Sequence, residues 1–149
     1  MNLERPPSYP PISPVLTVPS ALLAIGFYGR AFGAMERFRL TDPESGRIAH
    51  VELTLGAGLL LLTEAATDSP SELTPALGIR LCFFVTDVDA VTQAAVAAGA
   101  LVQRPPRDEF YGHRCGRIRD PFGYEWMLFQ ENEFLTPSEM QRRWPVRHR

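Results

Sequence analysis

Between Val18 and Ala34 the chain runs from an apolar segment through a helical pattern to a Gly-Ala stop, and it does so again between Val85 and Ala100. Val85 follows Val18 by 67 positions and Gly99 follows Gly33 by 66, so the sequence carries an internal duplication with a period of 66 to 67 residues. Whatever fold the chain adopts must be built from two copies of one small supersecondary unit.

The elements inside each copy follow from periodicity. In the first, a strand Val15 to Val18 leads to a helix in which Leu22, Leu23, Ile25, Phe27, Tyr28 and Phe32 supply a broad apolar face, with Ser20 as N-cap and Gly33 as stop. Strands 37–41, 47–55 and 59–63 follow, divided by the turn signals Asp42-Pro43-Glu44-Ser45-Gly46 and Gly56-Ala57-Gly58. The second copy predicts a strand at 79–85, a helix at 88–98 capped by Thr86 or Asp87 and stopped at Gly99, and strands at 100–103, 113–119 and 125–130. Each copy therefore reads βαβββ.

Outside the copies, Pro6, Pro7, Pro10, Pro11 and Pro14 exclude both helix and central strand from residues 1–14, leaving an extended arm. Residues 66–78, rich in Ser, Thr, Pro and acidic side chains, read as a surface linker. Thr136-Pro137-Ser138-Glu139 is a capping box with Pro at the first helical position, so a short helix is expected to run to Trp144 before Pro145 ends it.

Composition narrows the function classes. A chain of 149 residues can bury about 68–70 % of the surface exposed when unfolded, and needs no disulfide to hold it. Its net charge of -2 offers no footprint for nucleic acid or an anionic membrane. The start lacks a signal-peptide pattern and the longest apolar run, Gly56 to Leu62, is too short to span a bilayer, so a cytoplasmic location is expected. Cys82 and Cys115 form no CxxC and are expected as reduced thiols in or near the core. All fifteen basic residues are Arg, and Ala and Pro abound, a bias expected of a GC-rich bacterium.

The stretches Ala24-Ile25-Gly26-Phe27-Tyr28 with Ala31-Phe32-Gly33-Ala34, and Arg119-Asp120-Pro121-Phe122-Gly123-Tyr124, resemble signatures of the vicinal-oxygen-chelate superfamily, the glyoxalase, bleomycin-resistance and dioxygenase group. The resemblance covers residues 15–130, and Pro137 to Trp144 is similar to the ending of a glyoxalase-like subgroup. It implies an α+β fold in which two βαβββ modules form a curled mixed sheet around a cavity, with helices outside. The expected organisation is an arm 1–14, a domain 15–130 made of module 15–65, linker 66–78 and module 79–130, and a C-terminal helix and tail 131–149.

Period-two alternation predicts which strand residues meet that cavity. Along residues 47–55, Val51, Leu53 and Leu55 share a helix-packing face, and His50, Glu52 and Thr54 the other. Leu81, Phe83 and Val85 pack on helices, leaving Arg80, Cys82 and Phe84 inward with Glu125, Met127 and Phe129. In metal-dependent members each module supplies a His, Gln or Glu from its first and last strand. Those positions fall here on Ser13, Leu61, Arg80 and Met127, which are not a ligand set for a divalent cation, so neither metal nor other cofactor is expected. A displaced site from His50, Glu52 and His113 is the alternative.

Leu59, Leu61, Phe84, Met127 and Phe129 are expected to form an apolar wall suited to a flat ligand, with Tyr111 from the 108–112 loop as a lid. Arg80 and Arg117, beside Glu52 and Glu125, either orient a ligand oxygen or neutralise one another. The expected ligand-binding set is thus His50, Glu52, Leu61, Arg80, Phe84, Tyr111, His113, Arg117, Met127 and Phe129, with no catalytic residue. The function expected from the resemblance is metal-free sequestration of an aromatic or hydrophobic small molecule by a homodimer, without nucleic-acid or membrane partners. The alternatives are a glyoxalase-like lyase or isomerase, or a dioxygenase, using a displaced metal or an acid–base pair at His50 and Glu52, and a scaffold without small ligand.

Overall fold

The computed structural model describes residues 9–66 and 78–145. Most of the expected linker, the first eight residues of the arm and the tail holding His148 lie outside the described residues. The element order is β1 (Val15–Val18), α1 (Ala21–Phe32), β2 (Met35–Thr41), β3 (Ile48–Leu55), β4 (Gly58–Glu64), β5 (Leu81–Phe84), α2 (Val88–Ala97), β6 (Leu101–Asp108), β7 (His113–Arg119), β8 (Glu125–Glu131) and α3 (Pro137–Arg142). Two βαβββ modules result, each with its own four-stranded mixed sheet, ordered β1-β4-β3-β2 and β5-β8-β7-β6. In both, the first strand runs parallel to the last and the remaining pairs are antiparallel.

The first compact unit holds β1 to β4 and α1 as far as Gly29. Ser20 caps α1 by accepting from the Leu23 amide at 3.3 Å. Gly33 ends it at φ 70, where its amide reaches Gly29 O and the Ala34 amide reaches Tyr28 O, a left-handed stop that favours glycine. The buried face of α1 is Ala21, Ala24, Phe27 and Tyr28, continued by Ala31 and Phe32. Leu22 and Leu23, expected on that face, are instead 61 % and 66 % exposed. The small alanines admit close approach, and the leucines lie about 100° round the helix from them.

In the sheet, Leu16 and Val18 of β1, Leu60 and Leu62 of β4, and Val51 and Leu53 of β3 are all buried. The cross-strand register ties them together: Leu16 pairs with Leu62, Val51 with Leu62, and Leu53 with Leu60. Their alternates, Val15, Leu61, Glu52 and Phe38, form one row across the opposite face.

The second unit holds β5 to α3 together with Arg30–Phe32. The ring of Phe32 meets Trp126 at 4.8 Å and Phe83 at 5.3 Å. Asp87, rather than Thr86, caps α2 through its side chain. α2 buries Val88, Thr92 and Ala95 and packs on β6, β7 and β8.

Strand limits differ most from expectation at β2, which begins at Met35 rather than Arg37, and at β6 and β5. β6 continues past Gln103 through Pro105 and Pro106 to Asp108, which is possible because β6 is an edge strand with a register shift between Arg104 and Arg107. Gly116 on β7 answers those prolines, since a Cβ there would stand 3.1 Å from Pro106 Cγ and 3.3 Å from its nitrogen. β5 is shorter than expected, with Ile79 and Val85 outside it.

The Asp120 motif proves to be a turn. Asp120 Oδ1 accepts from the amides of Phe122 and Tyr124 at 2.9 and 3.0 Å, and Oδ2 accepts from Trp126 Nε1 at 2.9 Å. The buried carboxylate thereby fixes the β7–β8 connection. α3 begins with the expected capping box but ends at Arg142, two residues short of Trp144. No described helix is long and apolar enough to cross a membrane.

Candidate functional site

Each unit presents polar and aromatic side chains on the face opposite its buried apolar layer. In the first, Glu52 is the centre. It is 2 % exposed, yet three donors reach it: Tyr9 Oη at 2.7 Å and His50 Nε2 at 3.0 Å on Oε2, and Arg37 Nε at 3.0 Å on Oε1. Burial alone would raise its pKa. The hydrogen bonds from His50, Tyr9 and Arg37, with the Arg37 charge, outweigh burial and hold the carboxyl below the usual glutamate range. Glu52 is thus an ionised anchor for the arm, β2 and β3.

Tyr9 and Arg37 are absent from the expected set. The Tyr9 ring also covers the Arg37 guanidinium, 4.9 Å from its centroid. A pocket of about 340 Å³ opens beside them, lined by Tyr9, Pro10, Arg37, Thr54, Leu59 and the 56–58 turn. Of the guanidinium nitrogens only Nε is bonded within the described residues, and Nη2 is buried without a partner. Leu61 pairs with Glu52 and Val15 across the sheet, on this face. Ser13 Oγ is likewise buried without a partner.

In the second unit, register aligns Phe84, Phe129 and Cys115 in one row and Cys82, Met127, Arg117 and Arg104 in the next. The rings of Phe84 and Phe129 stack at 5.2 Å with 22° between planes. His113 stands edge-on to both at 5.8 Å, and Tyr111 edge-on to His113 at 5.4 Å. Phe84 remains 55 % exposed, so the wall offers a flat aromatic surface to solvent. Tyr111 sits in the tight 109–112 turn, where the Glu109 amide reaches His113 O and the Gly112 amide Glu109 O. Burial, with the Cys115 and Glu109 charges nearby, pushes its phenol up to about 12. Cys115 is buried beneath, its thiol pushed up by burial, whereas Cys82 is exposed rather than in the core.

The charges divide unequally. Arg80 bonds Glu125 at 3.1 Å, and Gln103 and Arg119 bond the other Glu125 oxygen, each at 3.1 Å. Hydrogen bonds from Gln103 and Arg119 chiefly, with the Arg80 and Arg119 charges, lower the Glu125 pKa. Arg80 is 43 % exposed and Glu125 26 %, so this cluster is largely solvated and neutralised rather than buried as expected. Arg117 has no hydrogen bond or ion pair among the described residues, and its Nε is buried without a partner. Its cross-strand neighbour Arg104 reaches Glu109 at 3.2 Å, a carboxylate shared with Arg107. Arg117 is therefore an unmatched cation beside the aromatic wall.

His50 and Glu52 belong to the first unit and His113 to the second. Among the described residues no three His, Cys, Asp or Glu side chains are grouped to hold a metal ion.

A family model described as the glyoxalase/bleomycin resistance protein/dioxygenase superfamily matches residues 13–128. The chain is similar to an uncharacterized protein of Mycobacterium bovis, 36 % identical over 138 residues, covering 89 % of this chain and 90 % of that protein. Among solved structures, TioX from Micromonospora sp. ML1 is similar at a TM-score of 0.64 and 26 % identity, over 84 % of this chain and 99 % of TioX. A Pseudomonas aeruginosa protein shares the fold at a TM-score of 0.66 and 23 % identity, over 82 % and 98 % of the two chains.

Proposed function

The chain belongs to the glyoxalase/bleomycin resistance protein/dioxygenase superfamily, and on that footing we propose that it is a small-molecule-binding protein. Its ligand is a flat aromatic molecule bearing an acidic oxygen, held by capture and release. One observation carries this reading: the unpaired Arg117 lies one strand row from the stack in which exposed Phe84 lies against buried Phe129. A guanidinium whose Nε is buried without an acceptor calls for one, and the stacked rings supply area for a planar body. Met127, opposite Arg117, and Cys82 complete the row beneath such a ligand.

The acid–base alternative rests on the contact between His50 and Glu52. A carboxylate that is buried and also held by Tyr9 and Arg37 serves better as an anchor than as a proton carrier. The homodimer remains part of the proposal, and a sedimentation mass of 16.7 kDa for the chain in solution would remove it.

The binding test is thermal shift and calorimetry with 2-naphthoate and other aromatic carboxylates at 1 mM. Ligand at a hundred times Kd stabilises by about 2.7 kcal/mol, a shift of several degrees. Saturable binding that Arg117→Met weakens about tenfold or more supports the reading. No shift across the panel, or binding indifferent to both Arg117→Met and Phe129→Ala, overturns it.

A further inference from the structure

We infer that the first unit carries a second, independent ligand site, the pocket beside Tyr9 and Arg37, which takes a small uncharged molecule through a carbonyl oxygen. Its volume of about 340 Å³ falls at the lower end of the range for small-molecule sites. The site rests on observations separate from those for the aromatic wall, since every lining residue lies in the first unit.

The chemistry follows from how Arg37 is bonded. A carboxylate facing a guanidinium side-on usually takes two of its nitrogens. Glu52 takes only Nε, because its other oxygen already accepts from Tyr9 and His50. The terminal nitrogens are left without acceptors, and Nη2 is buried in that state. An oxygen entering the pocket, of which Arg37 forms part of the wall, supplies what is missing.

The charge state selects among oxygens. Arg37 and Glu52 already sum to zero, so a ligand carboxylate at the terminal nitrogens would approach Glu52 with no surplus positive charge to offset the repulsion. An amide, lactam or ketone oxygen meets the same donors without that cost. Leu59, Pro10 and Ala57 give its carbon skeleton apolar neighbours, and the Tyr9 ring, which also lines the pocket, covers the guanidinium. The two sites thereby differ in kind: Arg117 reads charge, Arg37 an uncharged acceptor.

The test follows the Arg37 Nε–H resonance of the ¹⁵N-labelled full chain by NMR while 2-pyrrolidinone or acetate is added. Pyrrolidinone should shift it saturably with half-saturation at about 10 mM, as expected of so small a ligand, and acetate should shift it at least fivefold less at equal concentration. Ala57→Leu, at an exposed turn position outside the ion pair, should abolish the pyrrolidinone shift while leaving Arg37 bonded to Glu52. Acetate binding as well as pyrrolidinone, no saturable shift by 100 mM pyrrolidinone, or a shift unchanged in Ala57→Leu each overturns the inference. None of these outcomes touches the naphthoate result at Arg117.

Discussion

Tyr9 donates its phenolic hydrogen to Glu52 across 43 positions of sequence, tying a proline-flanked arm to the centre of β3. The bond joins a three-donor set, so Glu52 is more costly to alter than its place on a sheet face suggests. Glu52→Gln leaves Arg37 without a counter-charge and should cost about 3 kcal/mol, the usual range for breaking a buried pair. The pH dependence carries the same signature. A carboxyl held below its ordinary range contributes stability that is complete above about pH 4.3 and is lost as pH falls through the lowered native value. Melting curves from pH 6 to pH 3 should show a shallower acid loss in Glu52→Gln than in wild type; parallel slopes would remove Glu52 from the acid response.

Asp120→Ala should be among the most damaging single changes outside the apolar core. It strips acceptors from two turn amides and from the Trp126 indole together. A loss of roughly 3–5 kcal/mol is expected from one buried and two part-buried donors left unsatisfied together. Trp126 is buried and Trp144 exposed, so near-ultraviolet circular dichroism, dominated by the fixed indole, should weaken before global unfolding.

Gly116→Ala should cost about 1–3 kcal/mol through overpacking against Pro106. Pro106→Ala in the same chain should recover part of that loss by removing Cγ. A double-mutant cycle in urea that returns no coupling between the two positions would mean that β6 moves aside freely.

The Tyr111 phenol holds its proton longer in the native state than in the unfolded one. The stability this confers is complete below about pH 10 and is lost as pH rises through about 12. Tyr111→Phe should therefore flatten the alkaline fall of the melting temperature and remove a tyrosinate absorbance phase near pH 12 from an alkaline titration.

Much of the fold was legible because its signals are local. The glycine stops and strand alternation gave two βαβββ copies, and in β3 Val51, Leu53 and Leu55 are buried on one face as period two requires, while Glu52 on the other is buried by its donors. Helical periodicity is less decisive. It marks an apolar arc without saying which edge is covered, and α1 buries alanines where Leu22 and Leu23 were expected. Pro105 and Pro106 signal a strand end in an interior strand and are tolerated at an edge, a distinction that only the sheet order supplies.

The candidate sites divide the same way. Register brought Phe84, Phe129 and Met127 onto one face as alternation implied, and set Arg117 directly across from Met127. Arg37 escaped notice because a register shift between Glu36 and Phe38 adds a residue to β2, so alternation alone does not aim it at Glu52. Tyr9 left no signal at all, since nothing local marks a contact made 43 residues away. Arg80 and Arg117 looked equivalent in sequence. Their difference lies in how many acceptors surround each, which Glu125 supplies to one and not to the other.

The two sheets end in four edges that are unequally guarded. β1 and β5 span four residues each, and at β6 two backbone nitrogens belong to prolines and carry no hydrogen. β2 runs seven residues without proline and shows Met35, Phe38 and Leu40 to solvent. Self-templated growth by strand addition thus has one favoured point of entry, and fibre formation in heated samples should be slowed far more by Leu40→Lys than by a lysine at Leu101 on β6.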